Sequence, residues 1–99
     1  METKNIHRVK CYQRFFKLTE SGIKPFEVRR NDRDYQVGDL LELSETVEGS
    51  PTGRMMLFEI ISILTSADFP DGIKEEFAVL GIKPITGVYY DVNYGAGSI

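Results

Sequence analysis

The segment that most constrains the fold of this chain is residues 54–65, a long β-like run with apolar residues on both alternating faces. In an extended strand, one face would carry Met56, Phe58, Ile60 and Leu64, and the other Met55, Leu57, Ile61 and Ile63. Such a strand has to be covered on both sides, so we expect it to be the central or barrel-crossing strand of a sheet. A chain of 99 residues with 41% hydrophobic content can bury one core of this kind, which predicts a single domain over residues 1–99.

Shorter elements with short connections surround this run. The residue patterns predict strands at 6–12, 26–29, 40–47 and 77–82, a hairpin loop at 48–53, and an edge strand at 88–92 within a C-terminal extension, 84–99. A helix is expected over 13–21 with Phe15, Phe16 and Leu18 on one side, ending at Gly22 so that Ile23 folds back onto it. The pattern indicates an α+β fold, a small mixed or antiparallel β-barrel with one main helix.

Composition narrows the possible environments and ligands. The longest uninterrupted apolar run, at 55–58, is far shorter than the ~20 residues of a membrane helix, so we expect a cytoplasmic protein with no membrane partner. The chain has one cysteine, Cys11, and one histidine, His7, which predicts no internal disulfide and no metal site. No cofactor is expected.

Charge is divided unevenly along the chain. Residues 1–36 contain nine Lys or Arg and five acids, a balance of +4, whereas residues 37–99 contain three and ten, a balance of −7. A cationic face on an acidic protein attracts anionic partners such as nucleic acid or phosphate ligands. The alternative is that these basic residues only solvate the first helix and the loop after residue 30.

The cationic half contains a strand with an unusual face. In residues 26–29, Glu27 and Arg29 alternate with Phe26 and Val28, so a carboxylate and a guanidinium share one face. They form either a structural ion pair at a barrel end or a site that binds a polar ligand. Strand alternation does not place Lys24, because Pro25 can redirect the chain between it and Glu27.

The residues Gly22, Lys24, Glu27 and Arg29 match the spacing G-x-K-x-x-E-x-R, which resembles the signature of ASCH domains in the PUA-like superfamily. The similarity extends over about residues 6–83, where the matching segments are 7–10, 21–24, 26–29, 31–35, 37–39 and 79–82. Together these segments resemble the small ASCH-like proteins of Gram-positive bacteria and their phages. The resemblance implies a PUA-like pseudo-barrel with a cleft between helix and barrel, lined by Lys24, Glu27 and Arg29.

Three functions remain open. The preferred reading is a module that binds RNA or a nucleotide-like ligand. Tyr12 and Tyr35 either supply planes on which a base stacks or are half-buried packing residues, which is the commoner role of tyrosine. The expected ligand-binding residues of this module are Lys10, Lys24, Glu27, Arg29, Arg30 and Arg33. The other two readings are a small hydrolase and a protein-interaction module.

The hydrolase would act on a modified nucleoside, with Lys24 and Glu27 as the catalytic pair. Some ASCH-like enzymes deacylate N4-acetylcytidine with a lysine, a glutamate and a threonine that closely follows the lysine. Here Pro25 and Phe26 follow Lys24, so the remaining candidate hydroxyls are those of Ser62, Thr65 and Ser66.

Overall fold

The computed structural model describes residues 4–91, which form one six-stranded sheet and one short helix. The elements are β1 (Ile6–Tyr12), α1 (Gln13–Glu20), β2 (Phe26–Arg30), β3 (Leu40–Val47), β4 (Ser50–Thr65), β5 (Phe77–Pro84) and β6 (Tyr89–Tyr90). Along the sheet the order is β1-β3-β4-β5-β2, and β6 pairs with β4 beside this path. β1 runs parallel to β3, and all other pairs are antiparallel.

β4 is the central strand, as its two-sided apolar pattern predicted, since it pairs with β3, β5 and β6. Met56, Phe58 and Ile60 are buried in the core. The prediction that Leu64 shares their face was wrong. An irregularity in the pairing with β5 between residues 60 and 62 reverses the alternation, so Ile63 packs on the core and Leu64 is 50% exposed.

The sheet curls into a half-barrel, so the chain has the α+β, mostly β architecture that the sequence predicted. Its path ends at β1 on one side and at β2 on the other, and within residues 4–91 no backbone ladder joins these two strands. We call the gap between β1 and β2 the seam. Because a sheet edge leaves backbone groups without ladder partners, the seam is where side chains have to complete the structure.

Helix α1 covers the core near the start of the seam. Phe16 is fully buried beside Leu41 and Leu43, whereas Phe15 and Leu18 are half-buried. Gly22 (φ +82°) ends the helix as expected, and the amides of Gly22 and Ile23 donate to the carbonyls of residues 19 and 18. The expected return of Ile23 onto the helix was wrong, since its side chain is 73% exposed.

The connection between β3 and β4 is shorter than the predicted loop at 48–53. Only Glu48 and Gly49 lie outside the strands, both with positive φ (51° and 81°), and β4 begins at Ser50. Two left-handed residues make a turn whose twist matches that of the flanking strands, so the ladder can continue up to it. Of the predicted edge strand at 88–92, Tyr89 and Tyr90 pair with β4, and residues 92–99 lie outside the described range. No helix within residues 4–91 has the length and apolar character needed to cross a membrane.

Candidate functional site

A cavity of about 550 Å³ opens at the seam, between β1, α1, β2 and the β3–β4 turn. We call it the seam cavity. It contains three basic residues and one acid, with an aromatic and apolar wall, so its formal balance is +2. Its lining residues are Lys10, Cys11, Tyr12, Phe15, Lys24, Glu27, Val28, Arg29, Thr46 and Gly49.

Glu27 is the buried centre of the seam cavity. β2 pairs with β5 in a register that sets Glu27 opposite Leu80 on the inner face, while Phe26 and Val28 face outward. The Glu27 side chain is 5% exposed, and each carboxylate oxygen accepts from a different cation. Lys24 Nζ lies 2.6 Å from Oε1 and Arg29 Nε 3.2 Å from Oε2. A carboxylate this deeply buried is retained because two charged donors replace its lost water.

The helix end positions Lys24 for this contact. After the turn at Gly22, the Lys24 amide donates to the Leu18 carbonyl at 3.1 Å, which fixes the backbone before Pro25. The Lys24 ammonium also donates to the Phe26 carbonyl at 2.6 Å, and it lies 5.8 Å from the centre of the Phe15 ring. The side chain thus folds back into the seam cavity, a placement that strand alternation did not supply.

Arg29 spans the seam. Its Nη2 donates to the backbone carbonyl of Lys10 on β1 at 2.6 Å, while its Nε donates to Glu27 on β2. The guanidinium therefore satisfies one of the edge carbonyls that no strand covers. Arg29 has two tasks, since it neutralises Glu27 and links the two ends of the sheet.

Tyr12 and Phe15 form the aromatic wall. Tyr12 is 68% exposed, and its ring centre lies 6.5 Å from that of Phe15. Cys11, behind this wall, is buried, and burial together with the Glu27 charge raises the pKa of its thiol to about 11. Cys11 is therefore a protonated, unreactive part of the wall at neutral pH, in keeping with the core position that its alternation with Val9 predicted.

The aliphatic hydroxyl in the seam cavity belongs to Thr46, which is not among the hydroxyls that the sequence suggested. Thr46 pairs with Tyr12 across β1 and β3, and its Oγ1 donates to the Cys11 carbonyl at 3.4 Å. The candidate hydroxyls of Ser62, Thr65 and Ser66 do not line this cavity. Only the register of two strands far apart in sequence brings Thr46 here, and no local motif indicates it.

A second cavity, of about 360 Å³, adjoins the first, and we call it the basic hollow. Lys10 and Arg29 line both cavities. Arg30 and Arg33, the other predicted binding residues, lie in the basic hollow and not beside Lys24. Its lining residues are Arg8, Val9, Lys10, Arg29, Arg30, Asp32, Arg33 and Tyr35.

Of the two alternatives for Tyr35, the structure agrees with packing, because the residue is only 6% exposed and offers no stacking plane. Its ring packs edge-on against His7, with the ring centres 4.7 Å apart. His7 Nε2 is 2.8 Å from Asp39 Oδ2, in a buried pair that lines neither cavity.

Asp39 ties β1 to the loop before β3. Burial alone would raise the pKa of the Asp39 carboxyl, but hydrogen bonds with His7 and with the amides of Gln36 and Asn5 outweigh it and hold the pKa below its ordinary value. Across residues 4–91 no group of three or more His, Cys, Asp or Glu side chains is arranged to hold a metal ion.

Comparison with known proteins gives a family and a phage relative. The family described as a domain of unknown function (DUF3850) matches residues 6–82. This range includes every residue that lines the two cavities. The chain is also 37% identical over 82 residues to the uncharacterized 12.9 kDa protein in the GpA 3′ region of Escherichia phage P2. That alignment covers 82% of this chain and 75% of the phage protein.

Proposed function

The chain belongs to the family described as a domain of unknown function (DUF3850), and from its seam cavity we propose that it is an ASCH-type, PUA-like module that binds RNA or a nucleotide. The ASCH assignment is supported by the residues at its signature spacing, since Lys24, Glu27 and Arg29 line one cleft beside α1. The nucleotide assignment is supported by the chemistry of that cleft.

The observation that carries the proposal is the meeting of an exposed aromatic wall and surplus positive charge in one cavity. Tyr12 and Phe15 offer ring faces, and Lys10, Lys24 and Arg29 outnumber the single carboxylate of Glu27. A nucleotide presents the matching pair of features, a flat base and an anionic phosphate. Stacking on an aromatic side chain contributes about 1–3 kcal/mol per base and does not depend on which base it is.

Continuity with the basic hollow favours a ligand longer than one base. Lys10 and Arg29 line both cavities, so a strand bound at Tyr12 can continue toward Arg30 and Arg33 without leaving the cationic surface. Phosphate contacts of this kind release condensed counterions, so we expect modest affinity for single-stranded RNA that weakens steeply with salt.

The test is a titration of fluorescent single-stranded RNA by anisotropy at several salt concentrations. The double variant R30A/R33A should lower the slope of log K against log salt by about 1.4, at about 0.7 for each lost phosphate contact. Tyr12→Ala should weaken binding by about 1–3 kcal/mol and leave that slope unchanged. The matched control K17A/K74A removes two exposed lysines outside both cavities and should retain nearly all of the affinity. Absence of binding at micromolar protein and low salt would refute the RNA assignment.

One observation favours a second candidate, a hydrolase that acts on a modified nucleoside. Thr46 brings a hydroxyl into the same cavity as Lys24 and Glu27, although no hydroxyl follows Lys24 in the sequence. The reaction would add water across the acyl–nitrogen bond of N4-acetylcytidine and release cytidine and acetate. Chromatography should then detect cytidine with the unmodified protein and none with Lys24→Ala or Thr46→Val, provided that both variants melt as the unmodified protein does.

A further inference from the structure

We propose that the basic hollow holds the phosphate of a nucleotide whose base lies in the seam cavity, so that the recognised unit is a phosphorylated nucleoside and not a nucleoside alone. This inference rests on the proposed function, and it assigns the base to the seam cavity and the phosphate to the basic hollow. It assigns binding roles to Arg8, Lys10 and Arg33 that differ from those of Lys24 and Glu27.

The charge that lines the hollow favours an anionic ligand. Five of its lining residues are basic, and Asp32 is the only acid among them, so the formal balance is +4 against +2 for the seam cavity. A phosphate monoester carries a charge of about −1.5 to −2 at neutral pH and offers three acceptor oxygens. The hollow therefore matches a phosphate better than the seam cavity does.

The cations differ in whether they already have a carboxylate partner. Lys24 and Arg29 are both held by Glu27, at 2.6 and 3.1 Å. Lys10, which lines both cavities, and Arg33, which lines only the hollow, make no ion pair with any carboxylate of residues 4–91. An incoming phosphate can bind these two cations without displacing a partner.

Arg8 and Arg30, two further cations of the hollow, have exposed side chains. Arg8 is paired through Nε with Glu42 at 3.0 Å, and its side chain is 67% exposed. Arg30 lies over the Phe77 ring, 5.5 Å from its centre, a contact that orients the guanidinium without neutralising it. One planar guanidinium can donate to two phosphate oxygens at once, so arginine suits phosphate binding better than lysine does.

The two cavities share part of their lining. Lys10 and Arg29 line both, so these two side chains connect the cavity that holds Tyr12 with the cavity that holds Arg33. A base against Tyr12 and a phosphate at Arg33 are then parts of one ligand and not two independent sites.

The test is calorimetric titration of the four common nucleosides and their 5′- and 3′-monophosphates. We expect at least one monophosphate to bind about tenfold or more tightly than its nucleoside, since its phosphate accepts charge-assisted hydrogen bonds that the nucleoside cannot accept. Arg33→Gln and Lys10→Gln should remove most of that difference. Lys74→Gln, an exposed change on the β4–β5 loop, should leave it intact, and melting curves confirm that each variant is folded.

Two short RNAs of one sequence, with a 5′-hydroxyl or a 5′-phosphate, distinguish the source of the phosphate. A preference for the phosphorylated RNA that Arg33→Gln abolishes supports a chain end or a free nucleotide as the ligand. Equal binding of both RNAs, weakened equally by Arg33→Gln, supports a phosphate within the chain.

Failure of this inference is distinguishable from failure of the proposed function. If nucleosides bind as tightly as monophosphates, and Tyr12→Ala weakens both while Arg33→Gln weakens neither, the phosphate assignment is wrong and the proposed function stands. If no nucleoside, nucleotide or RNA binds, both are wrong.

Discussion

Replacing the buried carboxylate with its neutral isostere, Glu27→Gln, should destabilise the protein strongly. The substitution keeps the shape of the side chain but leaves the charges of Lys24 and Arg29 facing each other without a counter-charge. Removing one member of a buried ion pair typically costs 3–5 kcal/mol. The Lys24 and Arg29 side chains are 16% and 22% exposed, so water compensates part of this loss. We therefore expect a loss of about 2–3 kcal/mol, reduced from the fully buried case by that solvation.

For a chain of 99 residues, this loss corresponds to a melting temperature about 10–20 °C lower, at about 4–8 °C for each kcal/mol. Thermal and urea unfolding followed by circular dichroism measure it. The matched control is Glu59→Gln, whose Lys83 partner is 3.6 Å away and largely exposed, and which should cost under about 0.5 kcal/mol.

Glu27→Gln should also change how the protein responds to anions. Two cations without a counter-charge form an anion site, so added phosphate should raise the melting temperature of Glu27→Gln more than that of the unmodified protein. A Glu27→Gln variant that melts within a degree or two of Glu59→Gln, with no additional response to phosphate, would refute the claim that this carboxylate holds the seam together.

Three further predictions concern the Cys11 thiol, the Asp39 carboxyl and the Phe16 ring, all of which are buried. Cys11, with its thiol pKa raised to about 11, should react with iodoacetamide at pH 8 about a hundredfold more slowly than the same thiol in urea, by mass spectrometry; equal rates would contradict its burial. The pKa of the Asp39 carboxyl is lowered in the folded state, so its ionised form stabilises the protein above the ordinary pKa of 3.8, and this stability is lost as pH falls through the lower folded value. Asp39→Asn should therefore flatten the acid limb of a curve of unfolding free energy against pH, and an unchanged limb would count against the His7 pair. Phe16→Ala should cost about 3–5 kcal/mol in urea unfolding, and a loss below about 1 kcal/mol would show that α1 is not anchored through this ring.

Features that depend on neighbours along the chain could be predicted from the amino-acid sequence. Alternation in residues 54–65 predicted the central strand, and Gly22 predicted the helix end, because strand faces and helix caps are set by local geometry. Alternation also placed Glu27 and Arg29 on one face of β2. The uneven charge pointed to a cationic surface, which the structure places at the seam and the basic hollow.

Which of these residues lie close together depends on how the strands are arranged in the sheet. The order of strands leaves β1 and β2 as the two ends of the sheet, and that gap turns an alternating strand face into a lined cavity. Thr46 reaches it through its register with Tyr12, and Arg33 lies apart from Lys24, in the basic hollow. The irregularity in β4 likewise exchanged Leu64 for Ile63 in the core. These outcomes depend on pairing between segments distant in the chain, where one residue of register exchanges the two faces of a strand, and periodicity within a segment carries no information about its partner.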